Sequence, residues 1–455
     1  MERSYLIKPF LDRSYPTAVR GHGVYIYDEQ GKRYLDGSSG AVTASLGHAV
    51  PDIVEAMYKQ AQNISFVYRS QFTSKPAEEL AKKLNELAFG GDQHYWSFFV
   101  NSGSEATETA MKVAIQYWQE KGKPEKKKII SRWSSYHGIT MGALSMSGHP
   151  ERRERFIHLL EDYPAVAAPY CYRCPFNQTF PACNLLCAQE LERAIKRLGA
   201  DNVAAFIAEP IVGAAGGVIV PPDGYYQQIK KICEENEILF IADEVLTGMG
   251  RTGKMFAMEH WGAAPDIIAL GKGMTAGYTP MAAAMVSEKV LEPILNGSAS
   301  IMSGHTFSAN PQSAAVSLAV LEFIEKHNLV NETAQKGDYL MKKLQEMASK
   351  YRIIGDVRGR GLLWGIEFIS DIFTKRPFSK ETLLTGFVID RAKENGLLVY
   401  PAAAGYEGDD GDAVIISPPL TINKQEIDQL VKLLDKTLYE VQTHLEKLGL
   451  INCAG

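Results

Sequence analysis

Asp243 closes the apolar run ILFIAD, and Lys272 follows the apolar run IIALG. Each run is short and rich in Ile, Leu, Phe and Ala, which predicts a buried parallel strand rather than an amphipathic helix. In open α/β sheets ligands lie beyond the carboxyl ends of the strands, so the acid and the amine are expected to face one crevice. Two chemistries suit such a pair. One is a buried salt bridge in which each charge satisfies the other. The other is pyridoxal phosphate chemistry, where a lysine condenses with the cofactor aldehyde and a carboxylate keeps the pyridine nitrogen protonated, so that the ring can accept carbanion electrons. The pair alone leaves both open.

Further groups fall at comparable positions. In NSGSEATETAMKVAIQYW, Ser102 followed three residues later by Glu105 has the form of a capping box, and Ala106, Ala110, Met111, Ala114 and Trp118 give the following helix an apolar face. Gly103 and Ser104 then lie at a helix N-terminus, where free N–H groups and the helix dipole favour an anion, unless this is an ordinary cap. Tyr136 and His137 follow the strand KKIISRW directly, and the Tyr136 ring either stacks on a flat cofactor or closes a core. Glu209 ends the run AAFIAE. Arg69, among the polar residues of SFVYRSQFTS, is a surface cation or a reader of carboxylates.

The loop TGMGRTGKM carries Gly248, Gly250 and Gly253 as G-x-G-x-x-G, and nearly spells a P-loop. Met255 stands where a P-loop needs Ser or Thr and cannot ligate magnesium. The dinucleotide version expects its glycines after the first strand of a unit, whereas several strand–helix units precede this loop. A nucleotide-binding module is therefore the weaker reading. Cys171, Cys174, Cys183 and Cys187 form C-x2-C-x8-C-x3-C, while Cys233 and Cys453 stand apart. Four such thiols hold a structural zinc, form disulfides in an oxidising compartment, or pack reduced beside Tyr170, Tyr172 and Phe176.

The elements that must position these groups fill a chain of 455 residues, 45% hydrophobic and 22% charged, with net charge -5. That composition suits an enzyme of two or more lobes and does not suggest nucleic acid. No apolar run reaches the length of a bilayer span, and MERSYLIKPF lacks the apolar core of a signal peptide, so a cytoplasmic protein is expected. Residues 17 to 36 read as a hairpin of two strands. Thr306 and Asn310 lie in the polar loop HTFSANP. From about Asn331 onward helices and strands alternate as in a smaller α+β lobe. The last helix carries Ile427, Leu430, Val431, Leu434, Leu438, Val441, Leu445 and Leu448 at spacings of three and four, behind Asn423 and Glu426. Residues 402 to 413, rich in Gly and Asp, read as an exposed loop.

Taken together, NSGSEA, SYHG, AEP, ADEV, TGMGRTG, GKGM and HTFSANP resemble, in order and approximate spacing, the class III aminotransferases, with Lys272 29 positions after Asp243. The resemblance covers nearly the whole chain. It implies an α/β fold of the fold-type I class, with a mostly parallel seven-stranded sheet in a large domain (51–330), a smaller α+β domain (331–455), and an N-terminal segment (1–50) that joins the small domain. It implies a homodimer or a dimer of dimers with its sites at the subunit interface. Lys272 would carry pyridoxal 5'-phosphate, Asp243 would partner the pyridinium nitrogen, and Gly103 and Ser104 would hold the phosphate. Tyr136 and Val245 would flank the ring, Glu209 would support Asp243, and Thr306 would reach the partner subunit's phosphate. Val42 and Tyr400 join Arg69 as expected substrate contacts.

Departures from the family bear on the substrate. Members that process amino acids such as ornithine resemble one another in an arginine before the PPL segment and a glutamate after EPI; here those positions are Ile415 and Ala214, and no arginine follows Arg391. Tyr400 in LLVYP departs from the L-R-P of diaminopelargonate-type enzymes. The pattern instead resembles the ω-aminotransferases, which move nitrogen from a terminal amine, ω-amino acid or β-amino acid to pyruvate or 2-oxoglutarate. Aminomutase, decarboxylase and racemase branches of the same fold, and a zinc-held interaction scaffold, are the competing readings.

Overall fold

The computed structural model describes residues 5–91, 93–405 and 411–451. The chain opens with β1 (Ala18–His22), β2 (Tyr25–Asp28) and β3 (Arg33–Asp36). β2 and β3 are the expected hairpin; β1 adds a third antiparallel strand on its edge, which the polar run AVRGH did not announce.

Seven strands then build the central sheet: β4 (Tyr95–Val100), β5 (Lys128–Arg132), β6 (Ala165–Val166), β7 (Val203–Ala208), β8 (Leu239–Asp243), β9 (Ile267–Leu270) and β10 (Ala282–Ser287). Their order is β4-β10-β9-β8-β7-β5-β6, and only β10 runs against its neighbours. The sheet is continuous apolar sequence because helices cover both faces. Phe206 and Phe240 pack with Leu191, Ile195 and Ile229 on one side; Ile207 and Ile241 pack with Val113, Ala114 and Trp118 on the other. Each such side chain contributes about 1.5–3 kcal/mol by leaving water. The strand period of two sends alternate residues to opposite helical layers, which fixes the register. Because β4, β5, β7, β8 and β9 are mutually parallel, their carboxyl ends share one edge.

A four-stranded antiparallel sheet follows: β11 (Ile354–Arg360), β12 (Leu363–Phe368), β14 (Tyr400–Ala403) and β15 (Asp412–Ile416), in the order β11-β12-β15-β14. The short β13 (Leu397–Leu398) instead lies parallel to β3, tying the N-terminal segment to the C-terminal part of the chain. Val414 and Ile416 pack in one core with Leu430, Leu434 and Leu438 of the last helix, Lys424–Lys447. That helix buries most of the expected stripe; Val431 is only partly covered, and Leu448 lies beyond its end and is 59% exposed. The stretch 402–413 is less of a loop than its composition suggests. Ala402 pairs with Ala413 and Ala403 with Asp412 across a hairpin, and residues 406–410 of that stretch lie outside the described residues. Among the described residues, no helix is long and apolar enough to cross a membrane.

Candidate functional site

The shared strand edge brings together most of the side chains singled out from the sequence. Asp243 is the last residue of β8 and is buried; its Oδ1 accepts from the Val245 N–H at 3.1 Å. Its Oδ2 lies 2.8 Å from Nδ1 of His137, so the imidazole donates there, a carboxylate being an acceptor only. His137 is buried beside it. The backbone holds it from both sides, with His137 N–H on Ser147 Oγ (2.8 Å) and Thr107 Oγ1–H on its carbonyl (2.7 Å). Nε2 of His137 is buried with no hydrogen-bond partner among the described residues. The sequence placed His137 in this loop but gave it no role; its adjacency to Tyr136 was the available signal.

Glu209 follows β7 directly. Its two carboxylate oxygens accept from the N–H groups of Tyr136 and Gly213, each at 3.2 Å, while its carbonyl takes the guanidinium of the buried Arg132 at 2.6 Å. Burial raises the pKa of the Glu209 carboxyl, and Asp243 adds to that rise while His137 opposes it. Tyr136 is half-buried against Ala168, Val212 and Ile219. Burial also raises its phenol, with Arg152 opposing and Tyr400 adding. Tyr136 thus closes a small core with part of its ring, and Arg152 lies over that ring, its Cζ 4.8 Å from the centroid.

Lys272 stands two residues past β9 in a left-handed conformation (φ 42°), which costs a non-glycine residue energy and is common at functional sites. Its Nζ donates to the Ala41 carbonyl at 3.0 Å, next to the buried Val42. Although Lys272 keeps some solvent exposure, the protein packed around its amine lowers the pKa to about 8. Burial outweighs the opposing charges of Asp243 and Glu209. The salt-bridge reading of the Asp243–Lys272 pair does not describe this arrangement: Asp243 hydrogen-bonds His137, and the amine rests on a carbonyl.

The helix Gly103–Glu120 starts at the same edge. Ser102 Oγ accepts from the Glu105 N–H at 3.2 Å, but the expected reciprocal bond is missing, because Glu105 Oε2 turns to the N–H of Asn101 at 2.6 Å. The N–H groups of Gly103 and Ser104 find no acceptor among the described residues, as expected of an open first turn. The glycine is required by space: a Cβ at 103 would stand 2.8 Å from Val245 Cγ1. Gly138, at φ 139°, likewise lets the Tyr136 loop lie against Ser104, whose Oγ accepts from the Ile139 N–H at 3.0 Å.

Thr306 is exposed in its loop. Arg69 donates to the Ser303 carbonyl at 2.6 Å and lies over Phe98, with no contact to the Lys272–Asp243 group. Tyr400 begins β14, half-buried, and Ile415 is fully buried in β15. The glycine loop serves packing: Arg251 donates to the carbonyls of Leu362 (3.0 Å) and Pro418 (2.6 Å). The four clustered cysteines line one small cavity with Tyr170, Phe176 and Phe180, and burial pushes the Cys187 thiol up to about 12. Among the described residues no group of three or more His, Cys, Asp or Glu side chains is gathered to hold a metal ion. Cys453 lies outside the described residues.

The donor set fits pyridoxal phosphate. It offers a partly buried amine of lowered pKa, a buried carboxylate oriented by a histidine, and an open helix start for an anion.

The family model of the class III aminotransferases matches residues 12–438. YodT of Bacillus subtilis, named an uncharacterized aminotransferase, is 53% identical over 444 residues, covering 98% of this chain and 99% of its own length. The putrescine–pyruvate aminotransferase of Pseudomonas aeruginosa is 35% identical over 448 residues, covering 96% and 95%. Among solved structures, a PLP-bound amine transaminase from an uncultivated Pseudomonas species matches with a TM-score of 0.90 at 34% identity, covering 97% of this chain and 98% of that one.

Proposed function

Since the chain belongs to the class III aminotransferases and is a PLP-dependent aminotransferase, we propose that it moves an amino group from an ω-amine, ω-amino acid or β-amino acid to pyruvate or 2-oxoglutarate. The observation that carries this reading is the meeting of the Lys272 amine, the Asp243–His137 pair and the open helix start at Gly103 on one sheet edge. The substrate class rests on Ile415 and Ala214, which remove the arginine and glutamate that would read an α-amino acid. The relative named for putrescine, a terminal diamine, supports the same class.

Each residue has a role in this proposal. Lys272 would hold the cofactor covalently; Asp243 would face the ring nitrogen; Gly103 and Ser104 would take the phosphate on their N–H groups and hydroxyl. Tyr136 and Val245 would bound the ring, and Thr306 would serve the second subunit of a homodimer. The bound cofactor supplies an electron sink for the carbon that loses its proton. His137 fixes the orientation of the Asp243 carboxylate by donating to it from Nδ1. The Lys272 amine would act as the base that takes the proton from the donor carbon; an amine of pKa about 8 has a sizeable neutral fraction near neutral pH. Running the same proton movement in reverse serves the keto acid. We further propose the division 1–50, 51–330 and 331–455, and a cytoplasmic location.

A panel of amines against pyruvate and 2-oxoglutarate tests the reading. Turnover is expected with terminal amines or β-amino acids, and Lys272→Ala should lose it by at least about a thousandfold. Protein whose visible band responds to ordinary α-amino acids and to none of those donors would overturn the substrate class.

A further inference from the structure

A transaminase must read a carboxylate when it takes a keto acid, yet the chain has no arginine after Arg391. The other arginines around the site are spent. Arg132 holds the Glu209 carbonyl, Arg251 holds Leu362 and Pro418, Arg358 is bound to Asp356 and Glu367, and Arg69 is bound to Ser303.

Arg152 differs from them. It is exposed in the short helix Pro150–Glu154, its guanidinium lies over the Tyr136 ring, and among the described residues it has no carboxylate partner and no hydrogen-bond acceptor. Tyr136 ties that guanidinium to the site, since its own N–H binds Glu209. The charge of Arg152 is felt by the Lys272 amine, which places the two in one electrostatic environment. The fixed carboxylates there, Asp243 and Glu209, would repel an incoming anion. A guanidinium stacked on an aromatic face keeps its planar edge of N–H donors free for a bidentate carboxylate.

We propose that Arg152, stacked on Tyr136, binds the carboxylate of the keto-acid acceptor. The assignment rests on the transaminase reading and deepens it. It replaces the expectation placed on Arg69.

The test uses the holoenzyme and its two half-reactions, followed at the cofactor's visible band. Arg152→Gln should raise the pyruvate concentration for half-maximal rate by about tenfold or more, as loss of a charge-assisted pair implies. The half-reaction with a carboxylate-free primary amine should fall much less, and Arg152→Lys should recover part of the loss. Propanoate, which cannot react, gives a second readout: its dissociation constant should rise by a similar factor in Arg152→Gln. An unchanged propanoate constant, or an equal fall in both half-reactions, would overturn the assignment. If the wild-type protein performs neither half-reaction, the transaminase reading falls, and the propanoate constants still decide for or against Arg152.

Discussion

The helices Gly103–Glu120 and Lys424–Lys447 both begin with a small polar residue three places before a glutamate. At Asn423 the box closes: its side chain accepts from the Glu426 N–H at 3.0 Å, and Glu426 accepts from the Asn423 N–H at 2.9 Å. At Ser102 it stays half-made, because Glu105 is drawn away to Asn101 and also lies 3.5 Å from the His305 ring. The closed helix start belongs to an element whose buried stripe is pure packing. The open one stands where the parallel strands end, beside a buried acid and a partly buried amine. One sequence signature therefore gives either a finished cap or an unfinished one, and the surroundings of the glutamate decide which.

Three measurements bear on that contrast. The largest effect concerns the amine. Its folded pKa of about 8 lies below the ordinary lysine value, so protonation is disfavoured in the fold. In the cofactor-free protein, capture of pyridoxal phosphate should rise about tenfold per pH unit up to about pH 8 and then level. The unfolded chain holds its proton to higher pH than the fold does. Stability therefore also gains as pH rises from about 8 toward the ordinary lysine value. Asp243→Asn should move the break to lower pH, because Asp243 is a charge that favours the protonated amine; a break that stays put would separate the two residues. Next comes Gly103→Ala, whose Cβ meets Val245 at 2.8 Å. It should weaken cofactor binding by about tenfold and cost about 1–3 kcal/mol of stability, read by cofactor titration and urea unfolding. The smallest effect is Asn423→Ala, expected to cost about 1 kcal/mol in urea unfolding and to leave the pH break unmoved. A shift in that break would erase the distinction between the two helix starts.

The strands ending at Asp243 and before Lys272 were legible because a parallel sheet covered on both faces needs unbroken apolar runs, and a charged residue at the end of such a run stands out. The last helix was legible for a similar reason, since one buried face repeats every three to four residues. Contacts between loops were not. His137 reaches Asp243 across more than a hundred residues of chain, and nothing in its neighbours marks that pairing. Glu105 carried a correct local signature that the nearby donors of Asn101, its N–H and its side-chain amide, overrode. Arg152 drew no notice in the sequence, where nothing in its segment marks the contact with the Tyr136 ring. The edge strand β1 escaped because its residues are nearly all exposed and carry no apolar alternation.

The grip of Arg251 on Leu362 and Pro418 limits how the protein can be cut. Its guanidinium is buried, and burial lowers its pKa to about 9. It sits in the same loop that joins Asp243 to Lys272. Removing the chain beyond residue 331 would strip that cation of both carbonyl acceptors and leave it the Ser39 hydroxyl, at 3.4 Å, a costly loss. A cofactor-binding fragment cut there would lose two of the anchors that hold the loop carrying Arg251.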